Sequence, residues 1–201
     1  MNFLDRFKKI VDEQPDNVAI VDFGGARSTT YQELADWSSR VAAKLLEAGE
    51  AAGRTVLVCM DRRMEYVAAE IGIMMAGGAY VPLLPEYPSE RIDYIREDCG
   101  AVCTIDAGWM EDIGQYEPAG KYTAADKDRA MIIYTSGSTG RPKGIVHSHE
   151  SLYEGVKRVA STLGFGKEER LAAAAPLSFV VSLMEYYAVL SSGGCTHMLS
   201  E

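Results

Sequence analysis

Ten residues, TSGSTGRPKG over 135–144, hold three glycines, four hydroxyl side chains and two cations, and they follow directly on the apolar run Ala130-Met131-Ile132-Ile133-Tyr134. A glycine-rich turn after a strand lets successive backbone N–H groups converge without Cβ interference, and such a concave nest suits phosphate oxygens. Thr135, Ser136, Ser138 and Thr139 add hydroxyl donors, Gly137 and Gly140 free the backbone, and Lys143 adds a point charge on a flexible stem. Polyphosphate is the natural guest. The Walker pattern needs Gly-x-x-x-x-Gly-Lys-Ser/Thr; here the lysine lies three residues after Gly140, Pro142 intervenes and Gly144 follows, so a P-loop kinase or NTPase is excluded. A plain Ser/Gly/Thr surface loop is the competing reading, and the strand before the loop with the lysine after it weighs against that.

The rest of the composition confines any anion site to this locality. The 201 residues carry a net charge of −9, which excludes a general nucleic-acid or anionic-membrane surface. Cys59, Cys99, Cys103 and Cys195 include one Cys-x3-Cys pair but neither a second pair nor a nearby histidine to complete a zinc site, so no metal ligand is assigned. Reduced thiols in a cytoplasmic protein are the simpler reading, and the opening MNFLDRFKKIVDEQP is too charged for a signal-peptide core. LAAAAPLSFVVSLMEYYAVL (171–190) is long enough to consider as a membrane span, but Pro176, Ser178, Ser182 and Glu185 interrupt it and basic flanks are lacking. A buried strand followed by a helix is the better account.

Strand and helix signals alternate along the chain, which predicts an α/β fold: a buried mixed or parallel sheet flanked by helices. Phe3, Phe7 and Ile10 mark a helix, Val18 to Phe23 a strand, and Thr30 with Glu33 a capping box opening a helix through Leu34, Trp37, Val41 and Leu45. Thr55–Cys59 reads as a strand and Met64, Val67, Ile71 and Met74 as a helical stripe. Prolines 82, 85 and 88 are expected to preclude a central strand beyond Val81, with a helix from Ser89 to about Arg96 and a strand over Ala101 to Asp106. Periodicity is lost over 108–128, a surface connection. Ser148 is an N-cap for a helix with Leu152, Val156, Val159 and Leu163 on one face. A strand, a helix and a final strand follow.

On its loop, YTSGSTGRPKG, the chain resembles the acyl-adenylate-forming enzymes, which include acyl-CoA synthetases, luciferases and nonribosomal peptide synthetase adenylation domains. TYQEL (30–34), MMAGGAYVPLLPEYPSERIDYI (74–95) and PLSFVVSLMEYY (176–187) fall in the family's order, the second being especially similar to the peptide-synthetase branch. The resemblance implies ATP with Mg²⁺, attack of a carboxylate on the α-phosphorus, and transfer of the acyl-adenylate to a coenzyme A or carrier-protein pantetheine thiol. Thr135, Ser136, Gly137, Ser138, Thr139, Gly140 and Lys143 would clamp the phosphates. His149 matches a histidine common after the loop, and capping or packing at the helix start is weighed above direct catalysis.

Two departures from the family matter. Amino-acid-activating members usually read Phe-Asp-x-Ser where this chain has Phe179-Val180-Val181-Ser182, and a valine cannot neutralise an α-ammonium. With Phe179, Val180 and Ser182 as the acyl-pocket candidates, the substrate is expected to be a 2-keto, 2-hydroxy, aryl or aliphatic acid. A one-residue misalignment, an amino acid held differently or a degenerate site are the alternatives. Family members are also more than twice as long, so the resemblance implies that the ribose-binding aspartate and lid lysine lie beyond Glu201. The chain is read as the N-terminal part of such an enzyme, with no catalytic residue of its own and inactive alone. A non-catalytic interaction module, or half of a split enzyme, is the second reading.

Overall fold

The computed structural model describes residues 1–25, 27–120, 125, 127–136 and 141–199. Its order opens with α1 (Phe3–Glu13), β1 (Val18–Val21), β2 (Ser28–Thr30), α2 (Tyr31–Ala48), β3 (Thr55–Cys59) and α3 (Met64–Met75). It continues with β4 (Ala79–Leu83), α4 (Ser89–Cys99), β5 (Ala101–Ile105), α5 (Ala107–Met110), β6 (Arg129–Ser136), β7 (Pro142–Ser148) and α6 (His149–Leu163). Last come β8 (Arg170–Ala173), α7 (Val181–Leu183), a π-helical turn (Met184–Ala188), α8 (Val189–Ser192) and β9 (Cys195–Met198).

The expected α/β architecture is present, but the strands divide into two mixed sheets rather than one. One has the order β5-β3-β4-β6-β7, parallel except for β7, which runs antiparallel to β6. The other has the order β2-β1-β9-β8, with β2 antiparallel to β1 and the remaining pairs parallel. One face of the five-stranded sheet, through Val56, Val58, Tyr80, Met131 and Ile133, shares a core with α1, α2, α3, α6 and residues of the second sheet. Its other face, through Leu57, Val81, Leu83, Ile132 and Tyr134, packs under α4 on Ile95.

Local chemistry sets the helix ends. The Thr30 hydroxyl accepts from the Glu33 amide while the Glu33 carboxylate accepts from the Thr30 amide, so the predicted box opens α2. Ser148 caps α6 through the Ser151 amide. α3 is buried on nearly all sides because α2 covers one flank and β3 and β4 the other. At Gly72 a Cβ would stand 2.6 Å from the Ser38 carbonyl oxygen and from Val41, so only glycine allows α2 and α3 this close.

Four expectations need correction. Pro82 does lie within a central strand: β4 runs through to Leu83, with Val58 opposite Pro82. The missing donor is tolerated because β4 pairs with β6 only at Tyr80 and Met131, so the ladder on that side has already ended. The strand begun at Val18 stops at Val21, and Phe23–Gly25 form a 3₁₀ turn. The 108–128 connection is partly folded onto the core, since Met110 and Ile113 are buried and Lys44 donates to Asp112 at 2.5 Å. Leu163 is 61% exposed, beyond the buried stripe of α6.

Candidate functional site

β6 and β7 form a hairpin in which Ser136 faces Pro142, Thr135 faces Lys143, Ile133 faces Ile145 and Met131 faces His147. Strand alternation sends these pairs to opposite sides. Thr135 and Lys143 share the side of Met131 and His147, and Ser136 shares the α4 side with Tyr134 and Ile132. Thr135, Ser136 and Lys143 are all exposed at the hairpin's free end. Gly137, Ser138, Thr139 and Gly140 lie outside the described residues.

α4 holds the hairpin from behind. The Tyr134 hydroxyl donates to Asp98 at 2.6 Å, and the Tyr94 hydroxyl donates to the Pro142 carbonyl at 3.3 Å. Burial first, then the Asp98 carboxylate, pushes the Tyr134 phenol well above its usual range, so it remains a donor. A Cβ at Gly144 would stand 2.9 Å from Ile132 Cγ2 and 3.0 Å from Tyr134 Cζ. The last glycine of the TSGSTGRPKG stretch therefore makes room for the tyrosine that anchors it.

On the Lys143 side an apolar cavity of about 200 Å³ opens between β6, β7, α6 and the 180–184 segment. Met131, Leu152, Val156, Val180, Leu183 and Met184 supply its walls, with His147 at the strand edge. Burial lowers the His147 imidazole below its usual value of 6.5, so it is neutral near pH 7. Of the predicted pocket residues, Val180 lines this cavity. Phe179, 56% exposed, does not, and the buried Ser182 hydroxyl donates to the Leu177 and Phe179 carbonyls, shaping the turn instead. Along β6 the cavity wall at Met131 and the donor at Thr135 are four residues, roughly 13 Å, apart on one face.

An apolar pocket at the Met131 end of one hairpin face and an exposed hydroxyl and ammonium, Thr135 and Lys143, at its other end thus lie along the same face. A family model described as AMP-binding enzyme matches residues 7–119 and 106–201. The chain belongs to the AMP-binding enzyme family. It is 34% identical over 210 residues to malpibaldin synthetase of Mortierella alpina, covering 94% of this chain and 4% of that protein. It is 32% identical over 213 residues to a dimodular nonribosomal peptide synthase of Bacillus subtilis (strain 168), covering 94% of this chain and 9% of that one. Among solved structures, the Klebsiella oxytoca NpsA N-terminal subdomain in complex with 3-hydroxyanthranilyl-AMSN superposes with a TM-score of 0.86 at 27% identity, over 98% of this chain and 53% of that one. This member of the family therefore spans under a tenth of those two synthetases and about half of that subdomain.

Sequence reading missed Met131, His147, Leu183 and Met184 as pocket walls, and Tyr94 and Asp98 as supports. β7 was missed as well, because Pro142, Gly144 and the adjacent Ile145-Val146 pair give it no strand-like alternation. His149 is fully buried at the first residue of α6, where its amide donates to the Asp128 carbonyl at 3.0 Å, away from the exposed hairpin end. Among the described residues there is no cluster of His, Cys, Asp and Glu able to hold a metal ion, and no helix long and apolar enough to cross a membrane.

Proposed function

We propose that this chain is the N-terminal part of an enzyme that activates a carboxylic acid without an α-amino group as its acyl-adenylate, using ATP. The observation that carries the reading is the shared face: an apolar pocket lined by Val180 and Met184 and, farther along the β6–β7 hairpin, the Thr135 and Lys143 donors. The acid carboxylate would attack the α-phosphorus, forming the acyl O–P bond as the bond to the bridging oxygen of pyrophosphate breaks. Negative charge accumulates on the departing pyrophosphate, and donors already aimed at it lower the barrier. Residues 135–140 and Lys143 are assigned that clamp. Mg²⁺ would enter on the triphosphate, since the described residues offer no carboxylate cluster for it.

The pocket's lining supports the proposed substrate class. An α-ammonium opposite Val180 would find no carboxylate there to pair with, since the side chain at that position is apolar. An apolar cavity of about 150 Å³ accommodates a benzene ring, so this one admits an aryl or short aliphatic acid. The aromatic acyl group named in the NpsA complex supports the aryl option. The acceptor would be a coenzyme A or carrier-protein pantetheine thiol, in the cytoplasm. ATP–pyrophosphate exchange by the enzyme carrying this segment, over aryl, aliphatic, 2-keto, 2-hydroxy and α-amino acids, tests the assignment. Exchange is expected with an acid of the first four classes, and preference for an α-amino acid would overturn it.

A further inference from the structure

Behind the pocket wall, α3 places a carboxyl group in the interior. Glu70 is 4% exposed and its Oε2 accepts a hydrogen bond of 2.8 Å from the Tyr187 hydroxyl. Tyr187 belongs to the π-helical turn Met184–Ala188, whose first residue, Met184, lines the apolar cavity. π-Turns are rare and occur mostly at functional sites, because the extra residue redirects the side chains on either side of it. This one is held from several directions. The Tyr187 ring meets Phe3 edge-on at 4.7 Å and lies parallel to Tyr80 at 6.3 Å, the Thr196 hydroxyl donates to the Glu185 carbonyl at 2.8 Å, and the Glu185 carboxylate accepts from the Ala175 amide at 2.9 Å. Of these ties two are to carboxyl groups, Glu70 and Glu185, and Glu70 is the buried one.

We propose that Glu70 is a positioning residue: by accepting the Tyr187 hydroxyl it fixes that side chain and thereby the π-turn that sets Met184 in the pocket wall. Ionisation would place a charge in an apolar interior, so hydrating it requires the packing around Glu70 to loosen, and Tyr187 of the π-turn is its hydrogen-bonded neighbour there. The proposal deepens the acid-pocket reading but its test does not depend on that reading.

The surrounding titratable groups are compatible with this. Burial raises the Glu70 carboxyl from 4.5 to about 8, with the Tyr187 bond opposing the rise. Tyr66 on α3, Tyr80 on β4 and Tyr187 on the turn face the same interior, and burial pushes each phenol well above its usual value. Tyr186 on the turn and Cys59 on β3 stand next to Tyr66, and burial also raises the Cys59 thiol. His147 in the pocket wall titrates below 6.5. His149, buried on α6, which packs against the turn, is the remaining imidazole to separate.

The sign of the linkage is fixed. Folded Glu70 keeps its proton to about pH 8 while the unfolded chain releases it near 4.5, so its contribution to stability is full below 4.5 and is lost as pH rises toward 8. The test is ¹³C-methyl NMR of the methionines in the 201-residue chain, with Met184 assigned through Met184→Leu, from pH 5.5 to 9, beside thermal melting over the same range. The Met184 resonance should move with a midpoint near pH 8 in the wild type and in His149→Gln, and should be flat there in Glu70→Gln. The melting temperature of the wild type should fall relative to Glu70→Gln as pH rises. A Met184 resonance with no wild-type transition between pH 7 and 9, or one with the same midpoint in Glu70→Gln, would overturn the proposal even if melting follows Glu70. Should Glu70→Gln not fold, Tyr187→Phe replaces it, and an unchanged Met184 transition in that variant is the overturning result. Acid preference in pyrophosphate exchange can fail without affecting either measurement.

Discussion

β4 and β7 stand two places apart in one sheet and contrast in almost every respect. Every residue of β4 is buried, with α3 and β3 among its neighbours and a ladder of five register pairs to β3. No residue of β7 is buried, and Ile145 and Val146, which point to opposite faces, are 49% and 54% exposed. The difference teaches where stability and chemistry reside. Apolar area removed from water accumulates at β4, whereas β7 presents exposed donors and one edge of the apolar pocket proposed to take the substrate. β7 is nevertheless in a defined place, because α4 ties it and β6 down through Tyr94 and Tyr134.

Substitutions along the sheet sharpen this contrast. Leu83→Ala in β4 should have the largest effect, about 3 kcal/mol of lost stability by chemical denaturation, since Leu83 is fully buried under α4. A loss below about 1 kcal/mol would mean that β4 is not the scaffold proposed. Gly144→Ala should cost about 1 kcal/mol, because the new methyl meets Ile132 and the Tyr134 ring. Its amide-exchange protection should fall across β6–β7 and remain unchanged in β3–β4; uniform loss would show that the hairpin and the scaffold unfold together. Lys143→Ala should change stability by less than about 0.5 kcal/mol and weaken pyrophosphate binding about tenfold, or on the order of 1.4 kcal/mol. Calorimetric titration with pyrophosphate reads the second effect, and unaltered affinity would remove Lys143 from the clamp.

Much of this was legible in the residues. The Thr30–Glu33 box, the Thr55–Cys59 run and the Met64–Met74 stripe specified elements whose periodicity reflects burial, and TSGSTGRPKG pointed to phosphate through glycines, hydroxyls and a lysine. Pro82 misled, because a residue's lost donor matters only on the side where a ladder continues, and that is set by a strand some fifty positions away. β7 was hidden because none of its residues is buried, so its sequence carries no alternating apolar face to mark it as a strand.

By itself the sequence determined the fold class and where the long helices start, since propensity and capping are local properties, and it supplied the donor types on which the proposed phosphate clamp rests. Only the tertiary structure decided that Met131, Val156 and Met184 meet in one cavity, that Ser182's hydroxyl is used inside its own turn, and that Glu70 reaches Tyr187 across 117 positions. Such meetings depend on how helices and sheets pack, and no spacing along a single chain records which distant residue a buried side chain will face.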